Sequence, residues 1–199
     1  EISLGLVGSE MCIRDSFSLM ASHDRLANVM SQIKIIAGAL FKIANDIKIL
    51  FDRLNIGRFG VACGSLGIAM ECYDVALRYS NERNQFGKSI SSYQLIQKKL
   101  VKMITEITKS QILTWRLGLL MDNGNASFEQ ISLAKKVNVE MACEVAKISR
   151  SILGGMGITG EYPIMRHINN LEALVTYQGT DEIHTLIIGK KITGVSAIK

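Results

Sequence analysis

The stretch TYQGTDEIH, residues 176 to 184, has the residue types of a reactive loop. Thr180 is a residue type that caps helices, and Asp181 and Glu182 after it favour the positive end of a helix. Gln178 stands at the centre of the preceding turn. Its amide can donate and accept hydrogen bonds, but it cannot take up a proton near neutral pH. The stretch therefore has the setting of a catalytic loop, while its central residue is not a base.

Two other stretches have residues that suit an anionic ligand. GMGITG, residues 155 to 160, has the spacing of a dinucleotide fingerprint, but a helical pattern precedes it and a turn with Pro163 follows it. The strand before and the helix after that the fingerprint needs are missing, so we interpret it as a helix end with left-handed glycines. RNQFGKSI, residues 83 to 90, offers an arginine fork for phosphate oxygens and an aromatic face, although surface loops often share this composition.

Composition argues against several classes of function. The three histidines lie far apart and the four cysteines form no CxxC pair, so we expect reduced thiols and no metal site. The net charge of +5 comes from scattered or paired basic residues, which favours solvated helix faces or a small anionic ligand over nucleic acid. No apolar run approaches the roughly 18 residues that a membrane-spanning helix needs, so no span is expected.

The elements that must position these stretches are predicted to be helices. The 199 residues include one proline and are 48% apolar, which favours long helices with short connections, since an internal proline costs about 3 kcal/mol. Ser127 and Gln130 have the spacing of a capping box. Apolar residues recur with helical spacing in four stretches: 54–79, 92–121, 127–153 and from Thr180 onward. Such helices predict an antiparallel bundle.

The first 50 residues differ from the rest. Residues 1–16, EISLGLVGSEMCIRDS, fit no helix or strand period and resemble a translated sequencing adapter, so they are left out of the fold prediction. Residues 17–50 have a helical pattern, and with HD at 23–24 and KIANDI at 42–47 they resemble the long central helix of class II fumarases. The GSSxMPxKxNP loop that bears the catalytic serine of that family is absent. We therefore predict a junction between unlike sequences near residues 50–53.

Five segments beyond that junction resemble, in order and spacing, the C-terminal half of acyl-CoA dehydrogenases, most of all the glutaryl-CoA dehydrogenase type. They are LNIGRFGVACGSLG (54–67), RNQFGKSI (83–90), YQLIQKKLVKM (93–103), LGGMGITGEYPIMRHINNLEA (153–173) and TYQGTDEIHTLIIGKKITG (176–194). The resemblance, over about residues 51–199, implies an all-α, antiparallel four-helix-bundle domain, here preceded by the extra long helix of residues 17–50. In that family the domain packs against an N-terminal helical domain and a middle β domain.

The resemblance also implies FAD as cofactor and assigns roles to matching positions. Those expected to contact FAD are Arg83, Gln85 and Phe86, toward a neighbouring subunit, together with Gly154, Gly155, Thr180 and Glu182. Those expected beside the acyl-CoA substrate are Arg58, Tyr177 and Gly179. The implied partners are an electron-transfer flavoprotein and further copies of the chain in a homotetramer. The implied location is the mitochondrial matrix or the bacterial cytoplasm.

Gln178 matches the position of the family's catalytic base. There, the glutamate of a YEGT motif removes the α-proton of the acyl-CoA while the flavin accepts a hydride from the β-carbon. Loss of a positioned base typically lowers the rate by about 10²–10⁴-fold or more. The isovaleryl and long-chain branches carry their base just before the arginine that matches Arg58, where this chain has Gly57. Asp181 and Glu182 are too near in sequence to take over its direction.

The expected function is therefore that of a fragment. We expect a piece of an FAD-dependent acyl-CoA dehydrogenase, acting on a short-chain or dicarboxylic acyl-CoA such as glutaryl-CoA, that is inactive as written. Two alternatives remain at this point. One is a catalytically silent subunit that binds FAD or acyl-CoA or serves in an interaction, and the other is a fumarase-type lyase, which rests on residues 17–50 alone.

Overall fold

The computed structural model describes the secondary structure of residues 19–197 and the side chains of residues 28–50 and 52–197. Residues 1–16, interpreted above as adapter-derived, lie outside the described residues, as do Cys12 and the side chain of His23. The HD pair at 23–24 carries much of the resemblance of residues 17–50 to a fumarase helix. Because the side chains of that pair lie outside the described residues, the resemblance stays a prediction.

The described chain is almost entirely helical. The five α-helices are α1 (Leu19–Glu82), α2 (Gln94–Asp122), α3 (Phe128–Leu153), α4 (Ile164–Thr176) and α5 (Asp181–Thr193). Two 3₁₀ segments occupy Ile90–Ser92 and Gly154–Ile158. Two-residue strands β1 (Asn84–Gln85) and β2 (Lys88–Ser89) pair antiparallel as a small hairpin. The prediction of an all-α fold is confirmed.

The chain divides into two compact units, with the boundary between Asp52 and Arg53. Helix α1 is continuous through that point, so the helix predicted ahead of the bundle is the N-terminal part of α1. In the first unit every described side chain from 28 to 50 is exposed, including the apolar row that gives the helical pattern. The position of the predicted domain boundary itself stays a prediction.

The core of the second unit combines residues from the C-terminal part of α1 with α2, α3 and α4. Its buried members include Cys72, Ala76, Met103, Ile107, Ala142, Val145, Ile164 and Leu171. Buried polar side chains also tie the helices together: Asn138 donates to the carbonyl of Ala62 at 3.0 Å and to the hydroxyl of Thr114 at 2.7 Å. Each such bond contributes about 1 kcal/mol net, so the Asn138 side chain of α3 helps to hold α1 and α2 in place.

Local signals set the ends of α3. Ser127 accepts a hydrogen bond from the amide of Gln130, whose side chain accepts one from the amide of Ser127, so the predicted capping box is present. At the other end Gly154 has a φ of 61° and a ψ of −128°, a positive-φ conformation that glycine adopts readily but that is not the left-handed helical cap expected from the sequence. Helix α3 therefore runs over the predicted range and delivers the chain into the glycine-rich turn.

Two elements were not predicted. Helix α4 follows Pro163 directly and buries Ile164, His167 and Leu171 at three- and four-residue spacing. The hairpin of β1 and β2 replaces what the sequence presented as a plain exposed turn. Both elements matter for the candidate sites, because α4 leads into the loop at Gln178 and the hairpin carries Gln85.

Candidate active site

The loop of residues 177–180 joins α4, which ends at Thr176, to α5, which begins at Asp181. Gln178 has a φ of 60° and Gly179 a φ of 102°. A non-glycine residue in the left-handed region costs about 1–2 kcal/mol, so contacts with the rest of the domain must hold the loop in place.

Two buried cationic side chains hold consecutive carbonyls of this loop. The Nε of Arg58, on α1, donates to the backbone oxygen of Gln178 at 3.0 Å. The Nζ of Lys135, on α3, donates to the backbone oxygen of Gly179 at 2.7 Å. Arg58 is 4% exposed and Lys135 is 1% exposed, and burial lowers the pKa of both groups. We call this pair of contacts the cation clamp.

Arg58 is held from its other side by an aromatic ring. Its guanidinium carbon lies 4.6 Å from the ring centroid of Phe128, a distance at which a cation and an aromatic face attract each other. Its Nη1 is buried and makes no hydrogen bond with any described residue. These contacts give Arg58 a fixed orientation beside the loop and leave its Nη1 group without a hydrogen-bond partner among the described residues.

The side chain of Gln178 lies against the backbone of Gly57 on α1. A Cβ atom at Gly57 would lie 3.0 Å from Oε1 and 3.2 Å from Nε2 of Gln178, closer than ordinary van der Waals contact. The Oε1 atom is buried and has no hydrogen-bond partner among the described residues. A side chain at position 57 would therefore crowd the Gln178 amide, which would have to shift by a few tenths of an ångström to make room.

Beside this contact lies a cavity of about 570 Å³. Gln178 and Tyr177 line it from the loop, and glycines line it from α1 at positions 57, 60 and 64. Its remaining lining is Val61, Ile68, Asn170, Ala173 and Leu174. An extended apolar chain could enter here and end at the Gln178 side chain, because the glycine row leaves α1 without side chains on that face.

His184 lies under the loop and is fully buried. A Cβ atom at Gly179 would be 3.0 Å from its Nε2, so the glycine is needed both for its φ and for this close approach. Neither ring nitrogen makes a hydrogen bond to a described residue. Burial, and then the charges of Lys135 and Arg58, lower the pKa of His184 to about 4, so the ring is neutral at physiological pH.

The start of α5 carries the other two residues predicted here. Thr180 is the N-cap of α5 in an extended conformation, although its side chain makes no capping bond. Hydrogen bonding to Thr180 and to the backbone lowers the pKa of the exposed Glu182 carboxyl. Asp181 forms an ion pair with Lys136 at 2.6 Å. Neither acid is free and buried beside the loop, as a replacement base would need to be.

The remaining predicted residues gather at a separate groove of about 740 Å³. Arg83, Gln85, Phe86, Gly154 and Gly155 all line it. The Phe86 side chain is 92% exposed, and the Tyr93 hydroxyl holds the carbonyl of Gln85 at 2.9 Å. Thr180 and Glu182 do not line this groove, so the structure divides the predicted cofactor positions between two places.

Two absences hold for the described part of the chain. Among its His, Cys, Asp and Glu residues no group of three could hold a metal ion. None of the helices in residues 19–197 is both long and apolar enough to cross a membrane.

Comparison with known proteins decides the family. The model of the acyl-CoA dehydrogenase C-terminal domain matches residues 47–193. The chain belongs to the acyl-CoA dehydrogenase family. The match covers the loop, the clamp and the groove, and it begins at residue 47, shortly before the predicted junction near residues 50–53.

Several members of the acyl-CoA dehydrogenase family resemble the chain closely. The human mitochondrial short-chain specific acyl-CoA dehydrogenase is 36% identical over 141 residues, which are 71% of this chain and 34% of that protein. Glutaryl-CoA dehydrogenase from Mycobacterium smegmatis is 49% identical with a TM-score of 0.72, over 73% of this chain and 38% of its own. The structure of a glutaryl-CoA dehydrogenase from M. smegmatis in complex with FADH2 has 44% identity to this chain and a TM-score of 0.73, over 75% of this chain and 39% of its own.

The chain spans about a third of the length of these relatives. The matched residues correspond to the C-terminal domain of the family.

Two functional candidates escaped the sequence-based reasoning. Lys135, adjacent to Lys136, is one of the paired basic residues for which the sequence predicts a solvated helix face, and His184 is one of the three widely separated histidines. A signal for Lys135 existed: it falls at helical spacing with Ile131, Asn138 and Ala142, all of which are buried. A lysine on the apolar face of a helix points to a buried donor, whereas His184 had no comparable mark beyond its place in TYQGTDEIH.

Proposed function

We propose that this chain is the C-terminal part of an FAD-dependent acyl-CoA dehydrogenase that acts on a short-chain or dicarboxylic acyl-CoA, such as glutaryl-CoA. Family membership and the similarity to the glutaryl-CoA and short-chain enzymes support the proposal. The proposed partners are acyl-CoA, an electron-transfer flavoprotein and further copies of the complete protein in a homotetramer. The proposed location is the mitochondrial matrix or a bacterial cytoplasm.

The groove at the hairpin fits the flavin cofactor. A Cβ atom built on Gly154 or Gly155 meets nothing within 4 Å, so the backbone there is open to a phosphate or ring. The exposed Phe86 ring offers a stacking face, and Arg83 offers a fork for phosphate oxygens. When bound, FAD supplies the hydride acceptor for the β-carbon of the substrate. The residues of this chain would bind and orient it.

The loop would orient the thioester and the α-carbon. The cavity beside Gln178 is apolar along its α1 side, as an acyl chain requires, and Tyr177 and Gly179 flank the point where that chain would end. The cation clamp fixes the left-handed backbone of the loop before substrate arrives, so no ordering is needed at the moment of reaction.

The observation that carries the inactive assignment is the amide at position 178, whose Oε1 atom is buried. Gln178 directs its side chain into the space beside Gly57, where the family's base would be, and an amide cannot accept the α-proton. The nearby groups do not replace it. His184 lies beneath Gly179 with its pKa lowered to about 4, and Asp181 is paired with Lys136. We therefore propose that the chain with Gln178 binds its substrate but does not dehydrogenate it.

One specific observation favours a silent binding subunit as a second candidate. Gln178 is accommodated without any clash that would mark it as foreign to the site, and the clamp and groove are intact around it. A natural protein that kept this arrangement would hold acyl-CoA beside FAD without reaction. A fumarase-type lyase has no support in the described residues and is not proposed.

A chimera tests the proposed function. Residues 53–193 of this chain would replace the matching part of the M. smegmatis glutaryl-CoA dehydrogenase, and the product would be purified with FAD present. We expect stoichiometric FAD by its visible absorbance and a spectral shift on adding glutaryl-CoA. A folded chimera that retains no FAD, or whose Q178E form fails to bleach with glutaryl-CoA or butyryl-CoA, would contradict the proposal.

A further inference from the structure

The cation clamp joins the loop to two helices through adjacent peptide groups. Arg58 holds the carbonyl of Gln178 and Lys135 holds the next carbonyl, that of Gly179. The Nζ of Lys135 also lies 3.5 Å from the carbonyl of Val175, at the end of α4. One buried ammonium therefore ties the helix before the loop and the loop itself to α3.

The clamp has more positive charge than the described residues around it neutralise. No described carboxylate forms an ion pair with Arg58 or Lys135, and Asp181, the nearest acid to act on Lys135, is bound to Lys136 at 2.6 and 2.7 Å. Removing two cations from water without a counter-charge is unfavourable, because each of them loses hydration free energy. Carbonyl oxygens recover only part of that loss, so the clamp leaves a net positive charge against the loop.

Residue 178 is in direct contact with the clamp, because Arg58 holds its backbone carbonyl. We propose that Lys135 is a positioning residue that fixes the loop and whose charge, added to that of Arg58, holds a carboxyl group at position 178 in its ionised form. The inference rests on the proposed function, in which position 178 bears the family's base. It adds a residue, Lys135, to which the resemblance assigned no role.

The charged and titratable groups that face the loop come from three helices. Arg58 lies on α1, Lys135 and Lys136 on α3, and Asp181 and His184 on α5. Above about pH 5 His184 is neutral, and Lys136 and Asp181 cancel each other. The charges left at the loop are those of Arg58 and Lys135. Glu182 is fully exposed, so water screens its charge.

The test uses the full 199-residue chain and carbon-13 NMR of the side-chain carboxyl introduced by Q178E. The same carboxyl would be titrated with K135M and with K135Q, which removes the charge but keeps an N–H donor. Each change should raise its apparent pKa by about one unit or more. The matched control is K136M, which removes a neighbouring lysine that touches no loop carbonyl; we expect less than half that shift. An unchanged titration in folded K135M or K135Q chains would overturn the proposal.

A reciprocal measurement needs no change at Lys135. Because the coupling of two charges is mutual, Q178E should raise the pKa of Lys135 itself, followed at its Cε, by about one unit relative to the Gln178 chain. No change there would overturn the proposal even if the Lys135 variants failed to fold. If Lys135 had a purely structural role, replacing it would alter amide exchange in the loop but would not shift the titration of the carboxyl, and Q178E would not shift the titration of Lys135. Neither titration involves flavin. Loss of FAD binding in the chimera would therefore refute the proposed function but not the role of Lys135.

Discussion

Gly57 and Gln178, 121 residues apart, share one small volume: a Cβ atom on the first would lie 3.0 Å from Oε1 of the second. Position 57 is also where other branches of the family carry their base, just before the arginine matching Arg58. The contact supports the proposal that a base at either position would act in the same space. It also explains why the two positions cannot both be large.

This contact predicts an unusual response to G57A. Alanine in place of glycine within a helix normally stabilises by about 0.5–1 kcal/mol. At position 57 the added methyl group collides with the Gln178 amide, and such overpacking costs about 1–3 kcal/mol. We expect G57A to lower the free energy of unfolding in urea, and G60A, where a Cβ meets nothing within 4 Å, to raise it.

A double-mutant cycle locates the cause. Removing the amide with Q178A should abolish the penalty, so that G57A becomes neutral or stabilising in the Q178A background. Equal effects of G57A in both backgrounds would show that the two side-chain positions do not compete.

The buried His184 predicts a pH-dependent stability. Its pKa is lowered from 6.5 to about 4, so between these values the unfolded chain binds more protons than the folded chain. On account of His184, the free energy of unfolding is highest above about pH 6.5. It decreases by up to about 3 kcal/mol as the pH falls toward 4. Urea unfolding at pH 7.5, 6 and 4.5 measures it. H184F should flatten this part of the profile, while H167Q, which removes the histidine paired with Glu71 at 2.7 Å, should leave it in place.

The exposed Phe86 in the hairpin predicts that FAD binding can be weakened without lowering the free energy of unfolding. Phe86 is 92% exposed with a φ of 54°, so F86G removes a strained backbone and little packing. We expect the free energy of unfolding to stay within about 0.5 kcal/mol or to rise. In the chimera the same change should weaken FAD retention by roughly tenfold or more, since one stacking contact contributes about 1–3 kcal/mol. Unaltered FAD retention would remove Phe86 from the proposed cofactor site.

Local chemistry made part of this structure predictable. Ser127 and Gln130 announce the start of α3, because both partners of a capping box lie within one turn. Helix α4 was missed because Pro163 and the glycines before it look like a continuing turn, and the strands of the hairpin are too short to show any alternation. Motif resemblance, not periodicity, placed Gln178 and the groove residues.

The clamp lay beyond sequence-based reasoning for a different reason. Arg58 and Gln178 are 120 residues apart, and Lys135 and Gly179 are 44 apart. No spacing rule links residues on separate helices, and a lone lysine beside a second one resembles a solvated surface pair. Its burial is a property of the packed bundle, in which α3 faces both α1 and the loop.

The central claim is that position 178 lies at the proton-transfer point and that its amide alone stops the reaction. The most direct measurement is the anaerobic rate of flavin bleaching by glutaryl-CoA in the chimera, with Gln178 and with Q178E, at equal FAD occupancy. The account predicts that Q178E is faster by at least about 10²-fold. Equal rates, whether both fast or both absent, would contradict it.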